Sequence, residues 1–180
     1  MCSNRERAIF IRRCQTNEHA QIGQMLVDAY AKLPGMPQPC DQPEYYDMLA
    51  NVGKRDGNPA IRVFVAADER DVPVGSIDFI TDMRHYGTHS LATSVPDAAG
   101  VRLLVVQPDW RGFGIGNALT RYCIEHARTL HKSCVILHST RVMRTAWSMY
   151  ERMGFERFPH IDFQQGTLDV YGFKLRLAGR

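Results

Sequence analysis

A single α/β domain built on a mixed sheet is what the 180-residue sequence predicts, and three observations point to it. Apolar residues make up 44% and charged residues 23%, the balance of a soluble globular chain long enough for one sizeable core. Segments of helical period alternate with short β-rich runs. The order strand, helix, hairpin, strand, helix, strand, helix, strands mixes crossovers with hairpins, which a mixed sheet accommodates. One domain over residues 1–180 follows, since no repeat, low-complexity tract or linker divides the chain.

Taken in order, Ala8–Arg12 reads as a first strand. Thr16 is a candidate N-cap, with Glu18 in the first turn of the helix it starts. Ile22, Met25, Leu26, Ala29, Tyr30 and Leu33 give that helix one apolar face, and Pro34-Gly35-Met36-Pro37 ends it. Glu44–Val52 is a short second helix. Arg62–Ala67 and Val74–Thr81 are strands joined by the turn at Glu69–Pro73. Residues 84–99 carry no clear period and read as a loop. Gly100–Val106 is nearly all apolar, as in a strand buried on both faces. Pro108 stops it, and a helix follows whose apolar face is Leu119, Tyr122, Cys123, Ala127 and Leu130. Cys134–Leu137 is a buried strand, Arg144–Met153 a helix closed by Gly154, and Phe155–Phe158 and Leu168–Leu177 are late strands.

The bulk numbers narrow the function. No apolar run reaches the roughly 20 residues of a membrane helix, and the N-terminal apolar stretch Ala8-Ile9-Phe10 is too short for a secretory signal. Five scattered cysteines, an odd number, fit reduced thiols in the cytoplasm. The net charge of +3 is modest and its signs are interspersed, so neither nucleic acid nor a membrane is an expected partner. No Cys or His pair has metal-ligand spacing, and no metal is expected.

The chemistry-bearing stretch is Val106-Gln107-Pro108-Asp109-Trp110-Arg111-Gly112-Phe113-Gly114-Ile115-Gly116. Alternate glycines let successive amides turn toward one point, and a nest at a helix N-terminus favours a phosphate. Arg111 adds a cation suited to bidentate contact. It is not a P-loop, having no Gly-Lys-Ser/Thr. Nor is it a dinucleotide fingerprint, because the last position of G-x-G-x-x-G counted from Gly112 is Asn117. A tight strand-helix turn without a ligand is the plain alternative.

The pattern Val106-x-Pro108-x-x-Arg111-Gly112-x-Gly114-x-Gly116-x-x-Leu119 resembles the coenzyme A loop of the GCN5-related N-acetyltransferase (GNAT) superfamily, whose core R/Q-x-x-G-x-G/A is met by Arg111, Gly114 and Gly116. Ala146-Trp147-Ser148-Met149-Tyr150-Glu151-Arg152-Met153-Gly154-Phe155 resembles its A-x-x-x-Y-x-x-x-G-F segment. The likeness covers about residues 100–156. It implies a mostly antiparallel, twisted mixed sheet flanked by helices, and an N-acetyltransferase that moves the acetyl group of acetyl-CoA to an amine by direct attack in a ternary complex. The coenzyme's pantetheine arm is then expected along Leu104, Val105 and Val106, and its pyrophosphate on the amides of Arg111, Gly112, Phe113, Gly114, Ile115 and Gly116. Val106 N–H is the candidate oxyanion donor and Tyr150 the candidate general acid. Met143 stands where the family often has Asn, which leaves Arg141 or Arg144 to supply a polar contact. No base stands out: Asp78, Asp82, His85, His89 and His138 are candidates. Asp41, Glu44, Asp47 and Asp82 are acids near the expected acceptor site. The acceptor, a small molecule or a protein, is not specified by the sequence, nor is assembly as a homodimer. A coenzyme A-binding regulatory module without turnover is the alternative.

Overall fold

The computed structural model describes residues 8–87 and 91–177. Its strands are β1 (Ile9–Arg13), β2 (Ile61–Asp68), β3 (Pro73–Ile80), β4 (Ala98–Val106), β5 (Cys134–Ser139), β6 (Glu156–Arg157), β7 (Phe163–Gln165) and β8 (Leu168–Arg176). The helices are α1 (His19–Ala31), α2 (Pro43–Ala50), α3 (Val52–Asp56), α4 (Ile115–Thr129) and α5 (Arg144–Arg152). The strands form one sheet in the order β1-β2-β3-β4-β5-β8-β6, with β7 hydrogen-bonded to β8. Among the described residues only β4 and β5 pair in parallel; every other neighbour is antiparallel. The mixed, mostly antiparallel sheet is therefore as expected.

Each face of the sheet is covered. On one face α4 and α5 pack through Ile115, Leu119, Cys123, Ala127, Met149 and Tyr150 onto Phe64, Ile77, Phe79, Val101 and Val135. The helical spacing of Ile115, Leu119, Cys123 and Ala127 makes α4 amphipathic, and each large side chain so buried contributes about 1.5–3 kcal/mol. On the other face α1, α2 and α3 place Ile22, Leu26, Leu49 and Val52 against Val63, Val65, Leu103 and Val105. Helices α1 and α2 touch at Gly23, where a Cβ would lie 2.2 Å from the Ala50 carbonyl oxygen. Substituting Gly23 would force the pair apart.

Several expectations are corrected. Thr16 does not cap α1: residues Thr16–Glu18 form a 3-10 turn, and the buried Glu18 carboxylate accepts the Gln15 N–H at 2.7 Å while pairing with Arg12 at 2.6 Å. A longer acidic side chain that satisfies both a backbone amide and a guanidinium displaces the threonine cap. The segment expected as one helix, Glu44–Val52, is two helices broken at Asn51, whose side chain accepts from Lys54 N–H. The stretch 84–99 is not all loop: it holds short 3-10 turns, and β4 already begins at Ala98. Tyr122 is on the rim of α4, 38% exposed, with its ring edge-on to Phe64. Strand β7 was not expected, and residues 155 and 158 lie outside the two-residue β6.

Candidate active site

The site begins at a defect in β4. Ser76 pairs with Val105 and Asp78 with Arg102, so Ile77 alone faces both Leu103 and Leu104. This is a β-bulge, and Leu103 takes a φ of +52°, a strained angle for a bulky residue. The bulge bends β4 away from β5. Parallel pairing runs from Ala98–Cys134 to Val101–Leu137 and stops there, although β5 continues to Ser139 along β8. A gap opens between the C-terminal halves of the two parallel strands. Gln107 N–H donates to the Val74 carbonyl at 2.9 Å, which fixes the alternation of the β3–β4 ladder and turns the Val106 N–H and C=O away from β3, toward the gap.

The glycine loop stands at the mouth of this gap. Pro108–Trp110 make a 3-10 turn, and Gly114 precedes the first turn of α4. Gly112 and Gly114 have φ of +83° and +77°, and a Cβ on either would meet no protein atom within 4 Å. Gly116 differs: it lies inside α4, and its Cβ would make ordinary contacts with Leu104, Met149 and Val106 at 3.6–3.9 Å. The amides of Gly112, Gly114, Ile115, Gly116 and Asn117 donate to no acceptor among the described residues, whereas Arg111 N–H donates to Pro108. Free donors at a helix start, with open space before them, suit an anion. Arg111 is exposed, and its Nε donates to the Val106 carbonyl at 3.2 Å, tying the loop to the end of β4. Leu104 and Val106 thus face α4 while the Val105 side chain is buried under α1 and α2, and of the amides expected to meet a pyrophosphate that of Arg111 is already taken by the Pro108 carbonyl.

Tyr150 faces the sheet from α5. The helix ends in a Schellman turn: Gly154, at φ +91°, donates to Glu151, and Phe155 N–H donates to Tyr150 O, both at 3.0 Å. This pins the segment that carries Tyr150, and Phe155 stacks edge-on to its ring at 5.7 Å. The side chain is 5% exposed, and its hydroxyl has no hydrogen-bond partner among the described residues. Burial pushes its pKa above the ordinary tyrosine range, with smaller contributions from Tyr30 and Tyr86. Those two line a cavity on the opposite face of the sheet.

That cavity, about 90 Å³ and open to one side, is lined by Tyr30, Tyr45, Tyr86, Arg102, Met143 and Phe163, with Leu103, Ser139 and Thr140 also in its lining. The sequence did not single out Tyr30, Tyr45, Tyr86 or Thr140 for it, because they come from four distant segments. Strand alternation could have placed Arg102 on a sheet face, but the bulge resets the alternation after it.

The base candidates do not converge there. Asp78 is buried and its carboxylate accepts from Arg55 Nε at 2.7 Å; Arg55 Nη1 donates to the Met48 and Leu49 carbonyls. Asp82 is held down at about 2 by Arg84 and lies in a different surface depression. His85 is exposed against Asn58. His138 lines the cavity, but its Nε2 lies 2.8 Å from the Ile161 carbonyl and so must carry the proton, leaving Nδ1 to accept from the Tyr86 hydroxyl at 2.9 Å. Burial lowers its pKa to about 4. His89 lies outside the described residues. Arg141 is stacked on Tyr171 at 5.0 Å and donates to its hydroxyl, while Arg144 is exposed at the start of α5. Of the acids, Asp41, Glu44 and Asp47 are exposed and none lines the cavity. Among the described residues no group of three or more His, Cys, Asp or Glu is placed to hold a metal, and no helix is long and apolar enough to cross a membrane.

A fold with a bulged strand, a gap between its two parallel strands and an amide-lined loop at the gap defines a class, and comparison with known proteins agrees. The model of the acetyltransferase (GNAT) domain matches residues 59–157, more than half of the chain, which therefore belongs to the GNAT acetyltransferase family. A stretch of 63 residues is 40% identical to a mycothiol acetyltransferase of Geodermatophilus obscurus; it is 34% of this chain and 20% of that protein. The chain thus spans about a fifth of that relative's length. Among solved structures, a GNAT acetyltransferase from Staphylococcus aureus Mu50 superposes with a TM-score of 0.72 at 17% identity, over 95% of this chain and all of that one. The yncA protein of Salmonella typhimurium, determined with acetyl-CoA, superposes with a TM-score of 0.64 at 18% identity, over 96% of both chains. At these identities the likenesses establish the fold.

Proposed function

We propose that the chain transfers an acetyl group from acetyl-CoA to an amine by direct attack within a ternary complex. The observation that carries this reading is the gap beyond Val101–Leu137, with the Val106 N–H turned toward it and a loop of unpaired amides at its mouth. Acetyl-CoA brings the activated acyl group as a thioester. The chain's part is to hold it and to manage charge. The amides around Gly112–Gly116 receive the pyrophosphate, and the end of β4 receives the pantetheine arm as an added strand would be received. The Val106 N–H donates to the acyl oxygen, on which negative charge develops as the amine's nitrogen bonds to the carbonyl carbon. As the C–S bond breaks, the Tyr150 hydroxyl donates a proton to the departing sulfur; its raised pKa keeps that proton available at neutral pH. The amine sheds its own proton to solvent through the cavity, and no side-chain base is assigned. A binding-only module gains no support from any of these features.

The test combines binding with turnover. Acetyl-CoA at about 100 times its Kd should raise stability by roughly 2.7 kcal/mol, and amines should release its thiol. No thermal shift at millimolar acetyl-CoA, with no heat of binding, would defeat the proposal.

A further inference from the structure

The cavity beside the gap is aromatic and carries one unbalanced cation. Arg102 is the only lining residue with a permanent charge among the described residues, and no carboxylate lines the space with it. Asp78 is its direct cross-strand partner and feels its charge, but Arg55 holds Asp78 Oδ2, Oδ1 has no hydrogen-bond partner among the described residues, and Arg102 makes no ion pair with it. The contacts of Arg102 are neutral ones: Nη1 donates to the Tyr86 carbonyl, and the guanidinium lies 5.3 Å from the Tyr86 ring centre. Its Nε and Nη2 have no partner among the described residues. The charge also reaches the phenols around it, opposing the upward pKa shifts that burial imposes on Tyr30, Tyr45 and Tyr86. A sheltered guanidinium with spare, coplanar donors suits a planar anion.

A second group points the same way. Thr140 is 4% exposed, lines the cavity, and its Oγ1 has no hydrogen-bond partner among the described residues. A buried hydroxyl left unpaired is costly unless a ligand satisfies it. Much of the remaining lining, Tyr30, Tyr45, Met36 and Phe163 among it, offers ring and aliphatic surface, with Ser139 and Gln165 as further polar groups.

We infer that the acceptor is an amine that also carries a carboxylate on an apolar body, an amino-acid-like molecule whose carboxylate is read by Arg102. The inference rests on the acyl-transfer reading above. A polyamine would bring further positive charge to a cavity that already holds an uncompensated cation, which is unfavourable.

The experiment uses the full chain with acetyl-CoA and reads thiol release. L-Phenylalanine is compared with phenethylamine, and L-methionine with 3-(methylthio)propylamine; spermidine is the polyamine probe. The carboxylated member of each pair should have a kcat/KM about 10- to 100-fold higher, the range for a hydrogen bond to a charged group. Arg102→Met should erase the preference mainly through KM for the amino acid, leave acetyl-CoA binding unchanged, and be rescued in part by Arg102→Lys. Calorimetry in the presence of coenzyme A should show N-acetyl-L-phenylalanine binding more tightly than N-acetylphenethylamine. The wild-type arms do not depend on any variant folding. Equal or better turnover of the decarboxylated amines or of spermidine overturns the inference, as does tighter binding of N-acetylphenethylamine or no binding of either product. In each of these cases acetyl-CoA still binds. Absence of acetyl-CoA binding is instead the failure of the acyl-transfer reading.

Discussion

The loop glycines make separable predictions, because two of them are needed for different reasons than the third. Gly114 has a φ of +77°, and a Cβ there meets no protein atom within 4 Å. In Gly114→Ala the protein alone therefore suffers only backbone strain, about 1–2 kcal/mol. At 2–4 °C per kcal/mol for a chain of this size, Tm should fall by roughly 2–8 °C. Gly116 sits in α4, and its Cβ would rest against Leu104 at 3.6 Å, Met149 at 3.7 Å and Val106 at 3.9 Å. Gly116→Ala should therefore gain about 0.5–1 kcal/mol of helix stability and raise Tm by roughly 1–4 °C. Ligand affinity should differ between the two for a geometric reason: the Gly114 methyl enters the open space before the free amides, whereas the Gly116 methyl rests against Leu104, Met149 and Val106 side chains. Calorimetric titration with acetyl-CoA should show Gly114→Ala weakened about tenfold or more, the loss of a hydrogen bond to a charged group. Gly116→Ala should remain within about threefold of wild type. Gly114→Ala with wild-type affinity, or equal weakening in both variants, would refute the phosphate-nest argument.

Other consequences are equally direct. Tyr150→Phe keeps the ring against Phe155 but removes the hydroxyl, so turnover should fall about 10²-fold with little change in Tm or acetyl-CoA affinity; undiminished chemistry-limited turnover would remove Tyr150 from the mechanism. Because burial holds Tyr150 above the ordinary range, the rate between pH 7 and about 9.5 should show no falling limb, and a tenfold drop there would contradict its role as proton donor. His138, lowered from 6.5 to about 4, stays neutral in the folded chain while the unfolded chain protonates near the ordinary value. Stability should therefore be lost as pH falls through 6.5 toward about 4, by an order of about 3 kcal/mol. His138→Gln should flatten that dependence in denaturant titrations, and an unaltered slope would show that another group is responsible. Arg55→Met strands the buried Asp78 carboxylate and should cost about 3–5 kcal/mol, read as a fall in Tm of roughly 6–20 °C; a fall under 2 °C would show that the pair is dispensable.

What could be read from the sequence follows from how local each signal is. The glycine loop, the helix after it and the Tyr150–Gly154 turn are each encoded within about ten residues, by backbone freedom, helical period and a C-terminal glycine. The left-handed Gly112 and Gly114, the helix and the Gly154 turn are where they were expected, but Gly116 lies inside α4, the Arg111 amide is taken by Pro108 and Tyr122 is on the exposed rim. The β4 bulge was hidden, because nothing in two adjacent leucines announces that Leu103 adopts a φ of +52°. Its cause is tertiary: β4 must stay in register with β3 at Ser76 while parting from β5. The cavity between Tyr30 and Thr140 was hidden for a similar reason, being assembled from residues over a hundred positions apart. Thr16 misled because the capping rule is local, whereas Glu18 is satisfied jointly by Gln15 and by Arg12 from β1.

Initial rates of thiol release, with acetyl-CoA and an amino-acid acceptor varied together, decide whether transfer is direct. Direct attack in a ternary complex gives amine-dependent release with intersecting double-reciprocal lines and an N-acetylated product in equal amount to the thiol. Parallel lines, which indicate a covalent acetyl-enzyme, or thiol release that no amine accelerates although acetyl-CoA binds, would contradict it.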